Sequence, residues 1–249
     1  MLFLLVLVLM TGLAAGSFMN VCICRLPREQ SILFPPSHCP VCRRLLGPRE
    51  LVPVLSYLWL KGKCSGCGAK ISPRYPLVEL TTGLLYLLLF ITFGWQLKTL
   101  FYALLLSSLL TASLIDLDHQ IIPDSISYFL ILSGLLFQIF FFKDAFFSSL
   151  LGGLLGGGLL LALAVLSRGG MGGGDIKLAA GMGIYLGWQL LLVALLLSFV
   201  LGSLAGLAWV LGGKKSLKSA VPFGPFLAAG TAITVFFGPA MLEKYLSYF

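Results

Sequence analysis

The chain opens with the stretch LFLLVLVLMTGLAAGSFMNVCI, residues 2–23, and its first charged side chain is Arg25. A helix needs about 20 consecutive apolar residues to cross the hydrocarbon core of a bilayer. The stretch therefore predicts a first transmembrane helix within residues 1–24. A cleaved signal peptide is the alternative, but such a peptide begins with positive charges and has a shorter apolar run.

The same composition continues along the chain, which is 59% hydrophobic and 10% charged. Soluble domains are roughly 25% charged, so an ordinary soluble enzyme, a disordered chain and a secreted disulfide scaffold are all excluded. We expect an all-α, polytopic membrane helix bundle with about eight transmembrane helices. The predicted spans are residues 2–23, 77–95, 97–115, 126–142, 146–166, 176–186, 188–211 and 222–242. The sixth is short and rich in glycine, and a half-span or a re-entrant segment would fit it equally well.

Two of these spans carry glycines at the small-xxx-small spacing that favours close contact between membrane helices. They are Gly152, Gly153, Gly156, Gly157 and Gly158 in the fifth span, and Gly202 and Gly206 in the seventh. We interpret both sets as packing surfaces.

The net charge of +8 is unevenly distributed, with nine Lys or Arg residues between Arg25 and Arg74. Lysine and arginine collect in cytoplasmic loops. If this loop is cytoplasmic, eight spans place fourteen of the 17 basic residues inside and only Lys98, Lys143 and Lys244 outside. We therefore expect three parts: a first helix (1–24), a cytoplasmic loop (25–76) and a transmembrane bundle (77–249). The excess charge is a topology signal, and no nucleic-acid partner is expected.

Four cysteines in the basic loop form two Cys-x2-Cys pairs separated by 21 residues: Cys39, Cys42, Cys64 and Cys67. Two such turns offer four thiolates to one tetrahedral zinc ion. The loop is polar and too short to build a core of its own, so a structural zinc would stabilise it. Disulfides or free thiols are the alternative, and a reducing cytoplasm disfavours disulfides.

Four acidic residues of the bundle cluster at two places. Asp116, Asp118 and Asp124 surround the inner end of the third span, and Asp175 follows a run of glycines at the start of the sixth. The predicted topology brings both places to the same membrane face, where two carboxylates can meet as in an aspartic protease. A helix N-cap is the alternative role, which we prefer for Asp124 but not for Asp175. For Glu79, the sequence fits both a functional role and a role in helix packing.

Taken together, these elements resemble the bacterial prepilin peptidases, or type IV leader peptidases, a family of membrane aspartic proteases with a Gly-x-Gly-Asp motif. The matching motifs follow in one order along nearly the whole chain: GSFMNV at 16–21 with RLP at 25–27, the paired Cys-x2-Cys turns, ISPRYPLVEL at 71–80, Asp116 with IPD at 122–124, GGGDIKL at 172–178, and PFGP at 222–225.

The resemblance implies that Asp116 and Asp175 are the catalytic pair. It implies prepilin or pseudopilin substrates, whose short basic leader is cut at the cytoplasmic face of the bacterial inner membrane. It also implies N-methylation of the new terminus with S-adenosylmethionine as donor. The residues that match substrate or methyltransferase motifs are Gly16, Ser17, Asn20, Arg25, Glu79, Gly172, Gly174 and Lys177.

Two other classes remain as alternatives. A membrane transporter also uses acidic residues at broken, glycine-rich helices, but it would hold them near mid-membrane and would leave the cysteine pairs unexplained. A structural membrane protein with a zinc-stapled loop would need no carboxylate pair.

Overall fold

A computed structural model describes residues 1–168, 170–212 and 221–248, and this part of the chain consists of helices and loops, without strands. The α-helices are α1 (Leu2–Arg25), α2 (Leu55–Trp59), α3 (Arg74–Phe93), α4 (Leu97–His119), α5 (Asp124–Phe141), α6 (Phe146–Leu166), α7 (Gly173–Leu211) and α8 (Gly224–Leu246). Short 3-10 turns lie at Leu26–Arg28, Pro48–Glu50 and Lys143–Ala145. All the helices except α2 are long and apolar enough to cross a membrane, which confirms the predicted all-α membrane bundle.

Seven helices qualify as spans where about eight segments were predicted, because α7 contains both the predicted sixth and the predicted seventh segment. A straight helix over Gly173–Leu211 would be roughly 58 Å long, about twice the hydrocarbon thickness of roughly 30 Å. Helix α7 is not straight: Gly187 has φ 74° and ψ 167°, outside the helical region. Only glycine adopts such a conformation without strain, so the break is built into the sequence.

The chain turns back on itself at Gly187. A Cβ atom built on Gly156 would lie 2.8 Å from the carbonyl carbon of Ala179 and 3.2 Å from Cδ2 of Leu191. In a continuous helix those two residues would be roughly 18 Å apart, so both can meet Gly156 only if the two arms of α7 run in opposite directions. The first arm, residues 173–186, is about 21 Å long and matches the short sixth segment.

The chain divides into two compact units, Met1–Ala103 and Leu104–Phe249. In the first unit, α1 packs along α3. Gly12 and Gly16 allow this contact, because a Cβ atom on Gly16 would lie 2.6 Å from Cα of Glu79 and one on Gly12 would lie 2.8 Å from Cα of Gly83.

In the second unit, the first arm of α7 lies against α5 and α6, and the second arm runs antiparallel to α8. Gly152 and Gly156 of α6 lie directly on the backbone of α7, at Gly183 and Ala179. The predicted packing role is thus confirmed for these two glycines. A Cβ atom built on Gly202 would lie at van der Waals distance, 3.5 Å, from the rings of Phe223 and Phe226. The predicted packing role is wrong for Gly158 and Gly206, because a Cβ atom built on either would have no neighbour within 4 Å.

We predict that Gly152→Ala destabilises the protein and that Gly158→Ala does not. The methyl group at position 152 would overlap backbone atoms of Gly183 and Gly187, which cannot move aside as a side chain would. Overpacking of this kind costs about 1–3 kcal/mol, whereas Gly158 lies in open space on the same helix. Thermal unfolding in detergent compares the two variants. Equal midpoints would contradict the described contact between α6 and α7.

Candidate active site

Asp116 lies in the last turns of α4 and is buried, with 6% of its surface exposed. Its Oδ2 atom accepts a hydrogen bond of 2.8 Å from the backbone N–H of Gly224, the first residue of α8. The first N–H groups of a helix have no partner within the helix, so the start of α8 has a donor available for this carboxylate. The hydroxyl of Ser113 donates to the carbonyl of Gly224 at 3.3 Å. Two contacts therefore fix the PFGP motif to α4.

The residue at position 224 has to be glycine for Asp116 to sit where it does. A Cβ atom there would lie 2.9 Å from Oδ2 and 3.2 Å from Cβ of Asp116. In the sequence, the PFGP motif is only one part of a resemblance. Its contribution to the site, a backbone donor to Asp116, is visible only in the structure.

Asp175 lies in the first turn of α7, directly after the glycine run. The backbone amide of Gly172 interacts with its carboxylate, and Asp175 also interacts electrostatically with Asp116. Its Oδ1 atom is buried and has no hydrogen-bond partner in the part of the chain that the structure describes. The structure thus brings the two predicted catalytic carboxylates into one site.

The glycines before Asp175 let this turn approach its neighbours closely. A Cβ atom on Gly174 would lie 2.8 Å from Cβ of Ile122, and one on Gly172 would lie 3.2 Å from Oδ2 of Asp175. The Gly-x-Gly-Asp turn therefore packs on the segment that links α4 to α5. This contact joins the two acidic motifs that are far apart in the sequence.

Asp124 and Lys177 form an ion pair beside this site, at 2.7 Å from Nζ to each carboxylate oxygen. Lys177 also lies over the ring of Tyr128, 5.5 Å from its centroid. The preferred interpretation of Asp124 as an N-cap is wrong: Pro123 occupies the N-cap position of α5, and no side chain caps the helix. Asp124 instead connects the start of α5 to the start of α7 through Lys177.

Asp118 and His119, next to the buried Asp116, are both exposed. Residues two apart on a helix point away from each other, which explains why only one aspartate of the Asp-Leu-Asp sequence enters the site.

The first unit holds a second site, in which the Sγ atoms of Cys39, Cys42, Cys64 and Cys67 all lie within 4.8 Å of one another. Each Cys-x2-Cys turn is closed by backbone hydrogen bonds, from Cys39 N–H to Arg44 O at 2.9 Å and from Cys64 N–H to Ala69 O at 2.8 Å. None of the cysteines forms a disulfide. The cluster has the ligand set of a tetrahedral metal site.

The backbone of these turns favours thiolates, the form of cysteine that binds metals. N–H groups of Cys67 and Gly66 lower the pKa of Cys64 to about 6, and those of Cys42 and Val41 lower the pKa of Cys39. The pKa of Cys67 is raised to about 11, because the hydrogen bond from Ala69 is outweighed by desolvation and by hydrogen bonds with neighbouring thiols.

A polar network that the sequence did not predict connects the two turns. Arg44, on the first turn, donates to Ser65, on the second, and both side chains contact Glu50. Hydrogen bonds from Ser65 and Gly47, together with the contact with Arg44, lower the pKa of Glu50 to about 2. Residues around the ligands of a metal site fix the geometry of those ligands, and this network would do so here.

Beside the cysteine turns lies a cleft of about 530 Å³. Four of the predicted motif residues line it: Ser17, Asn20, Arg25 and Glu79. Ser17 hydrogen-bonds to the carboxylate of Glu79, and Asn20 donates to the carbonyl of Tyr75 at 3.0 Å. Arg25 donates to the carbonyls of Ser31 and Pro35. Gly16 lies behind Glu79 at the contact of α1 with α3.

Comparisons with known proteins identify the family of the chain. The Bacterial Peptidase A24 N-terminal domain matches residues 10–93, and the Type IV leader peptidase family matches residues 103–207. The prepilin leader peptidase/N-methyltransferase of Bacillus subtilis (strain 168) is 37% identical, over 94% of this chain and 95% of the relative. Proteins of the same name from Aeromonas salmonicida (strain A449) and Pseudomonas aeruginosa (strain PAO1) are 37% and 36% identical. They align with 97% and 96% of this chain, and with 93% and 92% of their own lengths. No solved structure matches significantly.

The resemblance found in the motifs is therefore confirmed over nearly the whole chain. This multi-pass membrane protein belongs to the type IV leader peptidase family.

Proposed function

We propose that this protein removes the short basic leader of type IV prepilins or pseudopilins with Asp116 and Asp175, and N-methylates the new terminus. The observation that carries the proposal is the meeting of these two carboxylates in one site of a chain that belongs to the leader peptidase family. Residues 77–249 would carry the peptidase, and the first unit the methyl transfer.

The dyad works because two close carboxylates cannot both ionise cheaply, so the pair shares a proton. The ionised member takes a proton from a water molecule, which attacks the scissile carbonyl. The protonated member donates a hydrogen bond to the carbonyl oxygen, where negative charge develops. The Gly224 N–H fixes the carboxylate of Asp116, and the glycines before Asp175 leave room for the backbone of a substrate.

The charge distribution supports a cytoplasmic position for the dyad in the bacterial inner membrane. Asp116, Asp175 and Gly224 lie at one end of the second unit. Because the chain reverses direction at Gly187, successive loops lie on alternate sides, as in the predicted topology of eight spans. On the topology predicted from the charges, the loops next to both aspartates are cytoplasmic. The count of cytoplasmic basic residues also includes three lysines that lie outside the described residues: Lys214, Lys215 and Lys218.

Replacement of either catalytic aspartate by asparagine is expected to abolish leader removal. Asparagine keeps the shape of the side chain but can neither take nor share a proton, and loss of acid–base catalysis lowers rates by about 10²–10⁴-fold. Asp144→Asn, at an exposed position, is the matched control and should cleave normally. Mass spectrometry of a co-expressed prepilin measures cleavage. An active Asp175→Asn variant with normal expression would refute the dyad.

Gly224→Ala should reduce cleavage without unfolding the protein. The added methyl group would lie 2.9 Å from Oδ2 of Asp116, so the carboxylate must move away from its donor. Displacement of a catalytic group by about 1 Å lowers rates by around 10²-fold. Gly206→Ala, in open space on α7, is the control for glycine replacement in a membrane helix. Full activity of Gly224→Ala in a purified peptidase assay would show that this donor does not position Asp116.

The four clustered thiols fit a structural zinc ion, bound by Cys39, Cys42, Cys64 and Cys67. Zinc supplies about 10–16 kcal/mol of apparent binding free energy in small zinc domains, enough to order a polar loop. The ion would hold the two turns together and take no part in peptide cleavage.

We expect one zinc ion per chain in the purified protein and none in Cys64→Ser. Cys22→Ala, which changes a buried cysteine outside the cluster, should keep its zinc. Elemental analysis measures the metal content, and limited proteolysis of the loop measures the loss of order. Wild-type protein without zinc, or a Cys64→Ser variant that retains it, would contradict the assignment.

The methyl donor, S-adenosylmethionine, fits the cleft beside the cysteine turns. The volume of the cleft, about 530 Å³, falls within the usual range for small-molecule sites. Leu46, Leu51 and Tyr57 offer apolar surface, and Arg28 and Lys70 offer positive charge for the carboxylate of the donor.

A further inference from the structure

The carboxylate of Glu79 is buried in α3 at the cleft, with 8% of the residue exposed. Its contacts are hydrogen bonds from the backbone N–H of Val54, at 2.7 Å to Oε2, and from the hydroxyl of Ser17. In the described part of the chain it has no Lys, Arg or His partner. A buried carboxylate is costly unless it is paired or has a function, and hydrogen bonds from two neutral donors leave its charge uncompensated.

The donor to Glu79 comes from a strained turn. Val54 has φ 61° and ψ −51°, and Leu55 N–H donates across it to the carbonyl of Pro53 at 2.6 Å. This is the geometry of a γ-turn with positive φ, a rare conformation that is unfavourable for a β-branched side chain. Such strain persists where the surrounding structure imposes it, and it concentrates at functional sites. Here the turn directs one N–H group at one carboxylate oxygen.

The contact between α1 and α3 fixes Glu79 from the other side. Gly16 brings α1 against Cα of Glu79, and the next residue, Ser17, donates to the carboxylate. Ser17, Asn20 and Glu79 all line the cleft. Hydrogen bonds and backbone contacts thus hold a single carboxylate at the wall of a cavity large enough for a small molecule.

We propose that Glu79 is the general base of the methyl-transfer reaction, the residue that takes a proton from the new N-terminal ammonium of the cleaved pilin. This inference rests on the methyltransferase half of the proposed function. An α-ammonium group has no lone pair and cannot attack a methyl group until it loses a proton. A carboxylate without a cation partner both attracts the ammonium and accepts that proton.

The reaction balances with the groups named. The ammonium gives one proton to the Glu79 carboxylate and becomes an amine. The nitrogen lone pair forms a bond to the methyl carbon, the bond from that carbon to sulfur breaks, and its electron pair stays on sulfur as S-adenosylhomocysteine. The product is an N-methylammonium terminus, and Glu79 releases its proton to solvent.

The test compares Glu79→Gln with Glu29→Gln, the same chemical change at an exposed residue that does not line the cleft. Purified full-length enzyme is given a prepilin peptide and S-adenosylmethionine, and mass spectrometry scores leader loss and methyl addition separately. At about pH 6.5, below the usual α-amino pKa of about 7.7–8.0, methyl transfer by Glu79→Gln should fall by about 10²-fold or more. Leader removal should continue, and Glu29→Gln should match the wild type in both reactions.

Two further readouts separate a base from a structural residue. S-adenosylhomocysteine binding, measured by calorimetry, should stay within a few-fold of wild type in Glu79→Gln. The deficit in methyl transfer should shrink as the pH rises through the pKa of the amine, because solvent then removes the proton that Glu79 would have taken.

Wild-type rates of methyl transfer in Glu79→Gln would overturn the proposal. So would loss of S-adenosylhomocysteine binding, which would make Glu79 a binding residue, or a deficit that is the same at every pH. Failure of the proposed function itself would look different: the wild-type enzyme would cleave the peptide and add no methyl group.

Discussion

The second unit depends on the cost of placing two carboxylates inside an apolar helix bundle. A buried carboxylate is costly unless it is paired or hydrogen-bonded, and two close carboxylates repel each other. The structure offsets this cost at Asp116 with the N–H of Gly224 and at Asp175 with the amide of Gly172. The break at Gly187 and the close contact of α6 with α7 bring the short arm that carries Asp175 into place.

In the first unit, too, a backbone N–H group stabilises a buried carboxylate. Glu79 is also held by a backbone N–H group, but its donor comes from a strained loop turn. A carboxylate pair that shares a proton is suited to activating water, and a single carboxylate is suited to deprotonating an amine. The two family matches, residues 10–93 and 103–207, fall on the two units that carry these sites.

The sequence predicted the features that depend on composition and spacing. Long apolar runs located the helices, two Cys-x2-Cys turns located the thiol cluster, and the order of motifs identified Asp116 and Asp175. It could not predict contacts between distant segments, because hydropathy does not say which backbone group faces which side chain. The donor from Gly224 to Asp116 and the γ-turn donor to Glu79 are both of this kind.

The errors have the same origin. Asp124 has the residue type and position of an N-cap, but its actual partner is Lys177, 53 residues away. By contrast, the two apolar segments predicted on either side of Gly187 are the two arms of α7, which that non-helical residue divides. Gly158 and Gly206 share the spacing of packing glycines, yet neither has a neighbour within 4 Å.

Chemical cross-linking between positions 116 and 175 tests the central claim most directly. A variant with Asp116→Cys and Asp175→Cys is treated in membranes with a short bifunctional thiol reagent and digested, and the linked peptides are identified by mass spectrometry. The account predicts a link between these two positions, and none when Asp118→Cys replaces Asp116→Cys. Labelling of both cysteines without a link between them would show that the two carboxylates do not meet.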